Sequence, residues 1–242
     1  MKIEKRFFST HWVYLLSIAI IFSACWTNGV PPSYAANDLL EAKKLVEESR
    51  RTLESFVTDP ANEDFRKLLK QARGVYITPL MLKGAFVLGV SGGTGVFLVK
   101  DKDSGQWTGP AFYTVGGASF GFQAGGSASE VVLLVLTERG VYSMMANSVK
   151  LGADVGVAVG PLGGGASAAT ANLSADILSF TKSKGLYGGV SLEGAVVAVR
   201  PALNQAYYGK TASPTDILIK KMLTNPHAGI LIEELTRAAG QK

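Results

Sequence analysis

Cysteine is almost missing from this chain. Its 242 residues include one, Cys25, and two histidines, His11 and His227. A disulfide framework needs pairs of thiols, and a structural zinc site needs several thiolates or imidazoles, so both are excluded. Charge is sparse too, at 18% of residues. The uncharged run near the start, Val13 to Trp26, is shorter than the roughly 20 apolar residues that span a bilayer as a helix. Nucleotide motifs are lacking. Ser91-Gly92-Gly93-Thr94-Gly95 has neither the following Gly-Lys-Ser/Thr nor a helix pattern behind it, which removes P-loop and dinucleotide chemistry. Asp101-Lys102-Asp103-Ser104-Gly105 starts like a calcium loop but lacks the late glutamate, and reads as a turn. No cofactor and no metal are expected.

What is there begins with a leader pattern. Lys2, Lys5 and Arg6 precede the apolar run, and Gly29, Pro31 and Pro32 break it. Ser33-Tyr34-Ala35 is a small-x-small cleavage pattern ahead of Ala36. One reading is a signal peptide over 1–35, leaving a single domain over 36–242 in the periplasm of a bacterial-type envelope. The other rests on Phe22-Ser23-Ala24-Cys25, similar to a lipobox except for Phe22, where an aliphatic residue is usual. Cys25 is then a lipidation candidate after a leader ending at residue 24. Both readings stand. Loss of Lys2, Lys5, Arg6 and Glu4 leaves 21 basic and 18 acidic residues, a net +3. That permits an anionic surface as partner and does not call for nucleic acid.

Glycine is abundant, with 24 of 28 between Gly74 and Gly194. There it alternates with β-branched and aromatic residues, the composition of bent or bulged strands. Strands are expected at 75–78, 85–90, 94–100, 111–115, 118–124, 130–137, 153–159, 176–182, 186–192 and 195–200. The unbroken run Val131 to Leu136 marks a strand covered on both faces. Gly160, Gly188 and Gly189 are expected at positive φ or where backbones approach closely. Ahead of the strands, 37–58 reads as an amphipathic helix capped by Asn37 or Asp38 and ended by Asp59-Pro60. A second helix spans about 62–72. A short helix is expected within 137–147. Ser213-Pro214-Thr215-Asp216 opens another, Asn225-Pro226 breaks it, and 228–239 forms the last. The fold class is α+β: a curved, mostly antiparallel sheet or barrel with N- and C-terminal helices. Lys83 to Ser91 and Lys184 to Ser191 echo one another, the mark either of two related hairpins or of chance.

Two constellations carry possible chemistry. On the second helix Arg66, Lys70 and Arg73 form a basic stripe beside the apolar stripe Phe65, Leu69 and Ala72. A helix lying on a membrane needs this pairing, though a charged edge of a packed helix looks the same. Lys182 and Lys184 extend the candidate lipid-binding set. The second constellation is Gly117-Ala118-Ser119-Phe120-Gly121, a G-x-S-x-G string with Asp154 or Asp176 and then His227 downstream. A nucleophile elbow requires a helix next, and Phe122-Gln123-Ala124-Gly125-Gly126 starts one poorly. The chain is therefore read as no enzyme, with a serine hydrolase as minor alternative.

A series of motifs in fixed order resembles the SYLF-domain family. They are Ala72-Arg73-Gly74-Val75 with Pro79, Trp107-Thr108-Gly109-Pro110, Gly121-Phe122-Gln123-Ala124-Gly125, Leu151-Gly152-Ala153-Asp154, Gly160-Pro161-Leu162-Gly163, Lys184-Gly185-Leu186-Tyr187-Gly188-Gly189 and Tyr207-Tyr208-Gly209. The resemblance covers roughly 53–209. It implies a non-enzymatic module that binds anionic head groups and, in fungal members, actin. Two positions depart from the pattern: Gly164 replaces a frequent arginine, and Trp107 is followed by threonine rather than serine. In a bacterial envelope the implied partner is an anionic phospholipid membrane, such as phosphatidylglycerol or cardiolipin. Actin enters by family analogy alone. The alternative is a structural or stress-related envelope protein acting through protein partners. Oligomeric state is not legible.

Overall fold

The computed structural model describes residues 32–85, 88–120, 125–161, 174–183, 186–188 and 191–240. The chain divides into two units, Met1–Asn37 and Asp38–Lys242, and the second holds the sheet.

Helix α1 spans Pro32–Thr58, so it starts upstream of the caps expected at Asn37 and Asp38. Its periodic residues Ala42, Val46, Ser49, Leu53 and Phe56 are all buried, as a 3.6-residue repeat requires. Asp59 ends it and accepts the Ala61 amide at 2.9 Å. Helix α2 follows at Glu63–Gln71, with Glu63 and Asp64 in its first turn and Lys70 in its last, the charge order that suits a helix dipole.

Nine strands form one sheet. They are β1 (Gly74–Ala85), β2 (Leu88–Lys100), β3 (Trp107–Phe120), β4 (Gly125–Val135), β5 (Ser148–Lys150), β6 (Val157–Val159), β7 (Ile177–Ser183), β8 (Leu186–Gly188) and β9 (Val196–Val199). Their order is β5-β9-β3-β2-β1-β4-β7-β6, with β8 on β7. Strands β4-β1-β2-β3 make a Greek key. All pairings are antiparallel except β6 with β7. Curling follows from chain length. A flat sheet of eight strands is about 34 Å from edge to edge. The link from Lys150 to Val157 reaches at most about 24 Å, yet it joins the two edges. A bridge between Leu151 and Val155 tightens it further, and the sheet is a curled half-barrel.

The two echoing segments each fall at an antiparallel pair, β1–β2 and β7–β8. Strand lengths differ from expectation. Of the expected run 85–90, Ala85 ends β1 and 88–90 join 94–100 in β2, where Gly93 and Gly95 mark close approach rather than a break. A Cβ on Gly93 would sit 2.5 Å from the Leu80 carbonyl, and one on Gly95 2.3 Å from that of Ile77. The cause is Pro79. It cannot donate to a ladder, so β1 bulges between Ile77 and Met81 against both neighbours. Expected strands 111–115 and 118–124 likewise merge into β3 as far as Phe120, and 121–124 lie outside the described residues. Strand β5 and a helix at Pro201–Tyr208 were not anticipated. Gly160 has neither a positive φ nor a backbone close by: its Cβ would lie 2.3 Å from the Phe180 ring, so a side chain fills the space. Gly188 ends β8, and Gly189 lies outside the described residues.

The remaining helices are α3 (Glu138–Met144), α4 (Pro201–Tyr208), α5 (Pro214–Leu218) and α6 (Gly229–Ala238). Thr137 caps α3, and Ser213 with Asp216 forms a reciprocal capping box on α5. Each face of the sheet has its own core. Val75, Ile77, Val96, Leu98, Phe112, Val132 and Leu134 pack under α1, α2, α4 and α6. Tyr76, Phe97, Tyr113, Val131, Leu133 and Val135 pack with Val141, Ile217 and Leu218 on the other face. Every residue from Val131 to Val135 is buried, as the unbroken run predicts.

Candidate functional site

The three residues of the basic stripe have different neighbours. Arg66 donates to the carbonyls of Val57, Asp59 and Pro60, where it satisfies the open C-terminal end of α1. Lys70 is exposed beside Gly240, whose Cβ would lie 3.6 Å from Lys70 Cε. Arg73 bonds Glu138 at 3.2 Å, and Lys102 reaches the same carboxylate at 3.0 Å. These two cations, Lys102 first, hold Glu138 below the usual carboxylate range. The apolar partners Phe65, Leu69 and Ala72 are buried in the core. In this fold the second helix has no free apolar face to lay into a bilayer. Arg66, Lys70 and Arg73 are left with an electrostatic role at most.

Lys182 sits elsewhere. It is paired across strands with Glu130, five residues along β7 from Ile177, which is level with Val135 near Arg73. That is a separation of roughly 17 Å. Glu130 also accepts the hydroxyls of Thr52 at 2.9 Å and Ser55 at 3.3 Å, tying α1 to β4. Lys184 and Cys25 lie outside the described residues.

Asp154, Asp176 and His227 belong to separate networks. Ser119 lies at the far end of β3, opposite Gly89. Asp176 lies at the other end of the sheet, where its carbonyl accepts the Leu136 amide. Along β3 those ends are about 36 Å apart. Asp154 accepts the Lys150 amide at 2.7 Å, closing a turn. The ring nitrogens of His227 face Tyr207 and Glu47, each at 3.3 Å. A serine triad is not assembled. Among the described residues no group of three histidine, cysteine or acidic side chains is placed to hold a metal.

Asp176 is instead a structural hub. Its oxygens accept from Thr137, from Arg139 Nε at 3.1 Å and Arg139 Nη2, and from the Gly156 amide at 3.1 Å. Burial raises its pKa, and Arg139, Thr137 and Gly156 outweigh that to hold it below the ordinary value. The motif residues are architectural as well. The Thr108 hydroxyl lies between the carbonyls of Val99 at 3.1 Å and Leu218 at 2.7 Å, so threonine preserves the oxygen a serine would place there. Tyr208 donates to the Pro110 carbonyl at 2.8 Å. The buried Asn204 accepts the Phe112 amide at 2.9 Å, replacing the strand neighbour that β9 does not supply there.

One surface feature escaped the residue-by-residue search. No carboxylate occurs over 79–99 or 109–129, and Lys83 is the single charge. The ladder of β3, β2, β1 and β4 brings the middles of these stretches together at one end of the sheet. Those four strands carry no acid there beyond Glu130, while ion pairs crowd the other end at Arg73, Lys102, Glu138 and Arg139. A tally of charge-free windows would have found it.

Residues 116–238 match the family model described as Ysc84: Las17-binding protein actin regulator. Protein YSC84 of Saccharomyces cerevisiae is 33% identical over 177 residues, 71% of this chain and 37% of that protein. LAS seventeen-binding protein 3 of the same yeast is 32% identical over 176 residues, 71% and 38% of the two chains. SH3 domain-containing YSC84-like protein 1 of Homo sapiens is 31% identical over 153 residues, 62% and 44%. The chain spans less than half the length of these curated relatives.

Proposed function

Since the chain belongs to the Ysc84, or SYLF, family, we propose that it is a non-enzymatic binding module that docks peripherally on anionic phospholipid. We place it in a bacterial-type envelope, exported by its leader. The observation that carries the lipid reading is the charge balance of residues 79–99 and 109–129, which hold no carboxylate and expose Lys83. A stretch with no acid and an exposed cation meets phosphate head groups without like-charge repulsion. Each basic residue near such a surface is worth about 1 kcal/mol, attenuated by salt over a Debye length of about 8 Å at physiological strength.

The test is co-sedimentation of the protein, purified from the envelope in its natural processed form, with anionic and neutral vesicles. Stronger binding to phosphatidylglycerol vesicles, weakened in Lys83→Glu/Lys182→Glu, is expected. Equal binding to both vesicles refutes the reading. Loss in Arg66→Glu/Lys70→Glu/Arg73→Glu alone moves the contact to the other end of the sheet. Intact mass of the same material separates cleavage before Ala36 from lipidation at Cys25. A second reading, docking on a protein, is favoured by the relatives' names, which speak of Las17 binding. Co-purification of a stoichiometric protein without lipid would establish it.

A further inference from the structure

Glycine in a strand weakens it, and is normally accounted for by a bulge or a backbone close by. Gly93 and Gly95 have that account. Four others do not. A Cβ on Gly84 would meet nothing within 4 Å, and on Gly92, Gly116 and Gly126 nothing nearer than 3.6 or 3.7 Å. Ladder register places these four in two adjacent rows across β3, β2, β1 and β4. One row is Gly116, Gly92, Leu82 and Ala128. The next is Ala118, Val90, Gly84 and Gly126. The rows continue the sheet face that carries α1. Gly84, Gly126, Ala118 and Ala128 are exposed, and Gly92 and Gly116 are half-buried. Leu82 is 57% exposed and Val90 66%, with Leu80 next to them at 53%. The result is a low ridge, Leu82 and Val90, on an uncovered floor of glycine and alanine.

We infer that this face enters the head-group and acyl boundary of a bilayer, an inference that rests on the lipid-docking reading above. Three observations favour a membrane over a second copy of the chain. The eight residues of the two rows include no carboxylate, and the acid that follows them on β4, Glu130, is bonded to the Thr52 and Ser55 hydroxyls. The two rows cover about 260 Å², well below the roughly 800 Å² per partner of a stable dimer. Strands β1 and β2, which carry the ridge, are hydrogen-bonded on both sides through these rows, so their backbone needs no water. The floor lets head groups or chains approach the ladder, and the ridge supplies apolar contact that salt does not screen.

The experiment compares Leu82→Asp/Val90→Asp with Ile219→Asp/Met222→Asp, a control at other exposed apolar residues, for binding to phosphatidylglycerol vesicles at low and high salt. Folding is checked by far-ultraviolet circular dichroism. A loss of about tenfold or more in the first pair alone, persisting at high salt, is expected. Independently, tryptophan at Val90→Trp should be quenched by brominated acyl chains, and tryptophan at Tyr142→Trp should not. Wild-type binding by Leu82→Asp/Val90→Asp, or an unquenched Val90→Trp on bound protein, overturns the inference and leaves lipid docking standing. A wild-type protein that ignores anionic vesicles overturns both. A dimer in ultracentrifugation that the same pair dissolves assigns the face to a second copy and refutes the membrane assignment.

Discussion

Replacing Tyr113 with phenylalanine should make this protein more stable. The Tyr113 ring stacks edge-on against Tyr76 and Phe97, at 6.3 and 6.0 Å between centroids. Its hydroxyl is fully buried and has no hydrogen-bond partner. Burial, and to a lesser degree the neighbouring Tyr76, pushes its phenol far above the usual value. A hydroxyl held without a partner costs about 1–3 kcal/mol relative to water. Phenylalanine keeps the ring contacts and removes that cost. For a body of this size each kcal/mol raises the thermal midpoint by roughly 2–4 °C. Tyr76→Phe should gain less, because the Thr78 hydroxyl lies close and partly offsets burial. Tyr208→Phe should do the opposite and lose about 1 kcal/mol, since it deletes the bond to Pro110. Urea melts of the three variants decide the matter. If Tyr113→Phe loses stability as Tyr208→Phe does, the Tyr113 hydroxyl is bonded and the reasoning fails.

Asp176→Asn should lose about 1–3 kcal/mol at neutral pH, through weakened bonds to Arg139, Thr137 and Gly156. Because the folded carboxyl titrates below the unfolded one, its contribution is present above the unfolded value near 3.9 and fades as pH falls through the folded value. Urea midpoints of wild type and Asp176→Asn should therefore converge in acid. Gly160→Ala should cost about 1–3 kcal/mol by pressing on Phe180, while Gly84→Ala should be neutral or gain up to about 1 kcal/mol; thermal melts of both check the close-approach argument. Asn204→Ala leaves the Phe112 amide unpaired and should cost about 1–3 kcal/mol in the same assay.

Helix α1 was legible because its buried positions repeat every three or four residues, and α5 because Ser213, Pro214 and Asp216 are local start signals. The length of β2 was not legible. Gly92 and Gly93 look like a strand break, and only the bulge forced by Pro79 on the neighbouring strand explains why the chain runs straight through. Helix α4 hid for a related reason: its defining residue, Asn204, answers a vacancy on β3 some ninety positions earlier. At the candidate site, the sequence placed Arg66, Lys70 and Arg73 on one helix, and geometry gave them different neighbours. Arg66 closes α1, Arg73 pairs with Glu138, and the adjoining apolar stripe is core. A charge pattern on a helix identifies a face but not what the face meets.

The strand order constrains how the chain can assemble in time. Strands β1 to β3 join through short hairpins, with Lys100 pairing Trp107, so that part can form by local search. The pairing of Tyr113 with Val199 closes a loop of more than eighty residues, and β5 can dock only on β9 once it is placed. Contacts this remote make folding slow, because loop-closure entropy is lost before they stabilise anything. The chain therefore crosses a period in which the apolar faces of β1, β2 and β3 are formed but uncovered. The sheet that holds the folded core together is also the chain's greatest exposure to aggregation while it folds.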